Sequence, residues 1–215
     1  MTRIRLAVFD MDGTLLQARS CWAHIHEHFG TDNSEMLRQY IEHKVTDEEF
    51  VQADIDMWEK NSKRQVNEEY INSILDEIVP VEGARELIVA LHQEGIQTAI
   101  ISGGIQYLAD KWAKKWNMKE AIANELVDGN NGHLKFAIGA SGHAKGPVMD
   151  KLMGKLGIPR EEAAAIGDTV VDIPLFERAV LGIAVNTENS KVIERADYHL
   201  KENDLRKLIP VITSW

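Results

Sequence analysis

Cysteine is nearly absent. Cys21 is the only one among 215 residues, so no disulfide can form within the chain. Long apolar runs are absent as well. The run from Leu6 to Phe9 is cut short by Asp10, which is too little for a secretory signal. Nothing approaches the roughly 18 apolar residues of a membrane span. A cytosolic protein with no membrane partner is expected. Positive charge is in short supply: 24 Lys and Arg stand against 34 Asp and Glu, a formal net charge of -10. A field of that sign repels nucleic-acid backbones and anionic membranes and sets both aside as partners. It also means that any phosphate-handling site must gather cations locally, and a divalent metal supplies them.

What remains is an ordinary globular composition, 44% hydrophobic and 27% charged. The length allows one full domain and a modest second one. Ile4 to Phe9 is apolar, rich in branched residues and stopped by Asp10, Gly13 and Thr14, so it reads as a buried strand. From about residue 17 to 79 the texture changes to spaced apolar residues among Glu, Gln, Lys and His, with few glycines. Trp22, Ile25 and Phe29 fit one helical face, as do Phe50, Ala53 and Met57, with Trp58 alongside. Thr46 to Glu49 has the form of a capping box. This stretch is expected to be a small helical bundle ending at Pro80.

Beyond Pro80, helix and strand signals alternate. Helices are expected at Ala84–His92, Ile105–Trp116, Lys145–Leu156 and Val170–Ala179, and strands at Ile96–Ile101, Ala163–Ile166 and Leu181–Val185. Leu126 to Ile138, with Asp-Gly-Asn-Asn-Gly at its centre, reads as a hairpin. Alternation of this kind implies a parallel α/β sheet covered on both faces. Residues 1–16 and 80–215 then form the core, and 17–79 an insertion placed at the carboxyl end of the first strand. Ligands bind at that edge of open α/β sheets, so the insertion is placed to act as a lid.

Four features fall at or just beyond strand ends. Asp10-Met-Asp-Gly-Thr14 sets two carboxylates two residues apart, and a bound cation relieves their mutual repulsion. Ser102-Gly103-Gly104 offers a hydroxyl and backbone N–H groups at an expected helix start, a seat for an anion. Lys145 opens a helix, where it opposes the helix dipole unless it reaches an anion. Gly167-Asp-Thr-Val-Val-Asp172 places Asp168 where it can reach a metal at the sheet edge, and Asp172 on the first turn after it. Taken singly, each also fits an ordinary turn or helix cap. It is their order along one sheet edge that gives them weight.

At this point the sequence resembles the haloacid dehalogenase superfamily, and within it the phosphoserine phosphatase-like branch. The resemblance implies a Rossmann-like core with a C1-type helical cap, and phosphate-ester hydrolysis dependent on Mg2+. It implies Asp10 as nucleophile and Asp12 as general acid and base. Ser102, Gly103 and Lys145 would hold the phosphate. The metal would be held by Asp10, the Asp12 carbonyl and Asp168, with Asp172 in support. The substrate would be a small phosphorylated metabolite.

The resemblance thins in the cap. Members of that branch carry a cap glutamate for the substrate's ammonium where this chain has Arg19, Ser20 and Cys21, and a cap arginine where it has Ala53 to Met57. Val171 replaces an expected asparagine. Phosphoserine is therefore expected to be a poor substrate. Arg19 points to an anionic or electron-rich leaving group, with Trp22 available for stacking. His24, His26 and His28 are expected on a polar helix face rather than at a metal, because only His24 and His28 share a face. A phosphomutase fits the same motifs. A catalytically idle phosphate-binding module is disfavoured because every catalytic position is filled, and a dehalogenase because it has no use for Asp12.

Overall fold

The computed structural model describes residues 3–42, 44–129, 132–140 and 144–215. The first strand, β1 (Leu6–Phe9), is buried on both faces. Ala7 and Phe9 enter one apolar cluster while Leu6 and Val8 enter the other, as the two-residue period of a strand requires. A strand with no polar face must lie inside a parallel sheet, and β1 is the centre of one. The sheet has seven strands in the order β4-β3-β2-β1-β5-β6-β7. These are β2 (Gln97–Ile105), β3 (Glu120–Asp128), β4 (Leu134–Ala137), β5 (Ala163–Gly167), β6 (Leu181–Ala184) and β7 (Tyr198–His199). Only the β3–β4 pair is antiparallel.

Between β1 and the next core helix, α5 (Ala84–Gln93), lie four helices: α1 (Cys21–Phe29), α2 (Ser34–Ile41), α3 (Asp47–Asn61) and α4 (Glu68–Leu75). The chain leaves and returns through one narrow passage. Gln17 N–H donates to Val79 O and Val81 N–H to Leu15 O, both at 2.9 Å. The remaining helices are α6 (Gln106–Trp116), α7 (Lys145–Leu156), α8 (Ile173–Phe176), α9 (Ser190–Ile193) and α10 (Leu208–Thr213).

The structure departs from the sequence reading in five places. Ser102, Gly103 and Gly104 do not open a helix; they belong to β2, which runs on to Ile105. Of the expected α3 stripe Trp58 is buried, but its companions on the buried face are Val51, Asp54 and Ile55, and Phe50 stacks on Tyr40 instead. The expected helix from Val170 is a 3-10 turn to Asp172 followed by the short α8, with Pro174 at its start. β3 begins six residues before the expected hairpin strand, and β7 and the last two helices gave no periodic signal. Finally, His26 is buried, not on a polar face. Asn130 and Asn131 of the expected hairpin turn, and Gly142 and His143 before Lys145, lie outside the described residues.

His26 has its own buried partners. Nε2 lies 3.1 Å from Asp54 Oδ1, and Nδ1 faces Thr31 Oγ1 at 2.7 Å and the Trp58 N–H at 3.3 Å. Asn33 donates to the same Asp54 oxygen at 3.1 Å. Asp54 is thus the acceptor around which α1, α3 and the α1–α2 turn are pinned. Asp54→Ala removes that acceptor and should cost about 1–3 kcal/mol, the usual penalty for stranding buried donors. Urea unfolding at neutral pH measures it, and a change of a few tenths would show the pinning to be unimportant.

Candidate active site

Three neighbouring strands deliver the site. Phe9 stands opposite Ile100 on β2 and Ile166 on β5. One residue beyond Phe9 and two beyond Ile100 and Ile166, Asp10, Ser102 and Asp168 follow at the same edge of the sheet, and Asp10 N–H still donates to Ile166 O at 2.9 Å. This is a switch point in strand order, since the chain runs outward from β1 to β2 on one side and from β5 to β6 on the other.

Lys145 comes from the first turn of α7 and is 1% exposed. Its Nζ sits 2.7 Å from Asp10 Oδ1 and 2.7 Å from Asp172 Oδ1. A buried ammonium is tolerated only when paired, and here it has two carboxylates. The other oxygen of Asp172 accepts from Asp168 N–H at 3.1 Å, Thr169 N–H at 2.9 Å and the Thr169 hydroxyl at 3.1 Å. Both oxygens of Asp172 are therefore occupied, which leaves it a brace for Lys145 and for the β5 turn. Asp168 Oδ1 accepts from the Thr14 hydroxyl at 3.0 Å. Asp12 Oδ2 accepts from Cys21 N–H at 2.7 Å, at the start of α1, while its Oδ1 is buried without a partner among the described residues.

The tight turn after β1 depends on Gly13. Its φ is +75°, and a Cβ there would come within 2.3 Å of Asp168 Oδ2. Asn186 donates to Gly13 O at 2.8 Å and fixes the far side of the turn.

The sequence-chosen residues Asp10, Asp12, Lys145, Asp168 and Asp172 thus share one buried edge with Ser102. Gly103 follows Ser102 on β2, while the remaining two, Trp22 and Arg19, differ. Trp22 does not stand free for stacking: its ring packs on Trp58 and Phe136, each with centroids 6.0 Å away, and its N–H donates to Gly103 O at 3.1 Å. Arg19 is exposed. Thr14 closes the first of the four motifs; the Cys21 N–H, Asn124 and Asn186 carry no signal of their own in the sequence.

With this geometry in view, similarity to known proteins becomes informative. The model of the haloacid dehalogenase-like hydrolases matches residues 7–177. The chain belongs to the haloacid dehalogenase-like hydrolases. It is 27% identical over 213 residues to the phosphoserine phosphatase of Methanocaldococcus jannaschii, covering 97% of both chains. Two solved structures superpose along nearly the whole length at 26% identity. One is a substrate-bound phosphoserine phosphatase complex (TM-score 0.79, 99% of this chain and 100% of that one). The other is a phospho-aspartyl intermediate analogue of phosphoserine phosphatase (TM-score 0.78, 98% and 99%). Together they make this hydrolase a phosphatase of the phosphoserine phosphatase-like branch.

The hydrolase holds more negative charge than its lysine balances. Asp10, Asp168 and Asp172 each offer an oxygen within 4.8 Å of the others. Burial raises the pKa of Asp10 to about 7, aided by repulsion from Asp172 and opposed by Lys145. Burial and then repulsion from Asp10 and Asp172 raise that of Asp168 to about 8. For Lys145, burial alone would lower the pKa, but the two carboxylates outweigh it and keep the ammonium charged. Asp12 is raised by burial, against the pull of the Cys21 N–H. A divalent cation fits such a site. The donors are hard oxygens, and Asp10 Oδ2 and Asp168 Oδ2 accept no hydrogen bond among the described residues.

Stability separates the carboxylates. Asp172→Asn leaves Lys145 with one partner and turns an amide toward it or toward three donors, so it should cost about 3–5 kcal/mol. Asp10→Asn also takes a charged partner from Lys145 but relieves repulsion among the carboxylates, so it should cost less than Asp172→Asn in chelator. A group whose pKa is raised by folding stabilises the fold at low pH and loses that contribution as pH rises through the folded value. The chelated wild type should therefore weaken between about pH 5 and 8, and Asp10→Asn should weaken less. Urea midpoints across that range read both effects.

Proposed function

We propose that this hydrolase cleaves the phosphomonoester of a small phosphorylated metabolite in the cytosol, with Asp10 as nucleophile and Mg2+ as cofactor. The observation that carries this reading is the Asp10 carboxylate held against the buried Lys145 ammonium, with Asp12 beside it on the same turn. An Asp10 oxygen attacks phosphorus, and the bond from phosphorus to the leaving oxygen breaks. Asp12 gives its proton to that oxygen, for which its raised pKa suits it. Water then attacks the phosphorus of the aspartyl phosphate, Asp12 takes the water's proton, and the Asp10–phosphorus bond breaks. Lys145 offsets charge shared by Asp10 and the phosphoryl group, while the Ser102 hydroxyl and the Gly103 N–H hold phosphoryl oxygens. The Asp10 and Asp168 carboxylates and the Asp12 carbonyl would hold magnesium, with Asp172 in support. The metal supplies positive charge where phosphoryl charge develops.

Residues 17–79 act in this reading as a cap over the core formed by 1–16 and 80–215. Arg19 lies on the short link between the catalytic turn and α1, exposed and among the cap residues nearest in sequence to Asp12. We assign it to an anionic group on the substrate beyond the phosphate. The named relatives are phosphoserine phosphatases, but a guanidinium repels the ammonium of free phosphoserine.

Two experiments test the reading. Phosphate release from a generic aryl phosphate should vanish in Asp10→Asn and in chelator, and return to the wild type on adding magnesium. Full activity in chelator would contradict the cofactor assignment. Across a panel of phosphorylated metabolites, phosphoserine should not be the best substrate. Arg19→Ala should weaken the preferred one by about 1–3 kcal/mol in kcat/KM while sparing the aryl phosphate. Equal losses on both substrates would remove Arg19 from leaving-group recognition.

A further inference from the structure

The proposed phosphate seat is a break in the sheet. Ile101 pairs with Ile122, but the next β2–β3 pair is Ile105 with Asn124, so four steps along β2 face two along β3. Ser102, Gly103 and Gly104 bulge out of the ladder and need other hydrogen-bond partners. The Gly103 carbonyl finds two. The Asn124 amide donates to it at 2.9 Å from the core, and the Trp22 N–H at 3.1 Å from α1. Asn124 is buried, and its own carbonyl accepts from Gly139 N–H and Ala140 N–H, both at 3.1 Å. That segment leads into the helix carrying Lys145. It lies hard against β3: a Cβ on Gly139 would fall 1.8 Å from Ala123 O.

The Gly103 carbonyl and the Gly104 N–H belong to one planar peptide, so fixing the first aims the second. The Gly104 N–H donates to Ser102 Oγ at 3.1 Å. With that lone pair engaged, the serine's own proton has no acceptor among the described residues, although the side chain is 1% exposed. We propose that Asn124 is a positioning residue: with Trp22 it locks the Gly103–Gly104 peptide so that the Ser102 hydroxyl is committed as a donor to the phosphoryl group. This rests on the reading of Ser102 as a phosphate ligand. It also gives Trp22 a role through the backbone of the seat, on the side where the cap meets it.

The test is a double-mutant cycle read by competitive inhibition with inorganic phosphate, using an aryl phosphate as reporter. Asn124→Ala should raise the phosphate inhibition constant about tenfold, and Trp22→Phe, which keeps the ring and removes the donor, about threefold. In a Ser102→Ala background each should fall below about twofold, because the group they act through is gone. The same factors persisting without the serine would show a general structural effect and overturn the proposal, as would no effect in the wild type. If Ser102→Ala alone leaves phosphate inhibition unchanged, the reading of Ser102 itself fails. Should Asn124→Ala not fold, the Trp22→Phe cycle decides the question alone.

Discussion

The rest of the structure is arranged around one buried ammonium. Lys145 is out of water and 2.7 Å from carboxylates on two different segments. Such a charge is tolerable only if its partners cannot leave. Asp10 is held by the central strand, and Asp172 by three donors to its other oxygen. The β1 turn, the β5 turn and the start of α7 are thereby fastened at one point. The cost is borne by the carboxylates: burial first, and then their mutual repulsion, raise the pKa values of Asp10 and Asp168. The uncompensated negative charge makes the edge a seat for a cation.

The inserted helices are coupled to the same sheet edge by two contacts, each between a backbone group and a side chain. The N–H of Cys21 fixes one oxygen of Asp12 and leaves the other free. One residue further on, Trp22 reaches the Gly103 carbonyl. Both contacts come from the first turn of α1, so the entry into the inserted helices registers directly on Asp12 and on the Gly103 carbonyl. A buried pair, His26 with Asp54, pins the helices behind that turn. The first turn of α1 is thus tied to the core beside Asp12 and Gly103, while Arg19 just before it is exposed.

The fold was legible where the pattern was physical and local. A fully apolar strand stopped by aspartate, glycine-closed helices and the Thr46 capping box all recur as read. The carboxylates and Lys145 were legible because chemistry-bearing residues at strand ends have few other uses. The misses share a cause. Ser102 to Gly104 looked like a helix start because glycine signals a turn, and a bulge inside a strand leaves the same signal. His26 looked like a solvent-facing residue because periodicity counts a polar residue as exposed, and its buried partner Asp54 stands on another helix. Asn124 fell outside the expected hairpin, and its partners come from segments apart from it in sequence.

The central claim is that Asp10 forms a covalent bond to the phosphoryl group. The most direct measurement is to quench the wild-type enzyme with acid during steady turnover, digest it, and locate added phosphate by mass spectrometry. The account predicts an acyl phosphate on the peptide bearing Asp10, lost on mild alkaline treatment and absent from Asp10→Asn. Phosphate on another residue, or turnover with no phosphorylated enzyme and no sensitivity to Asp10→Asn, would contradict it.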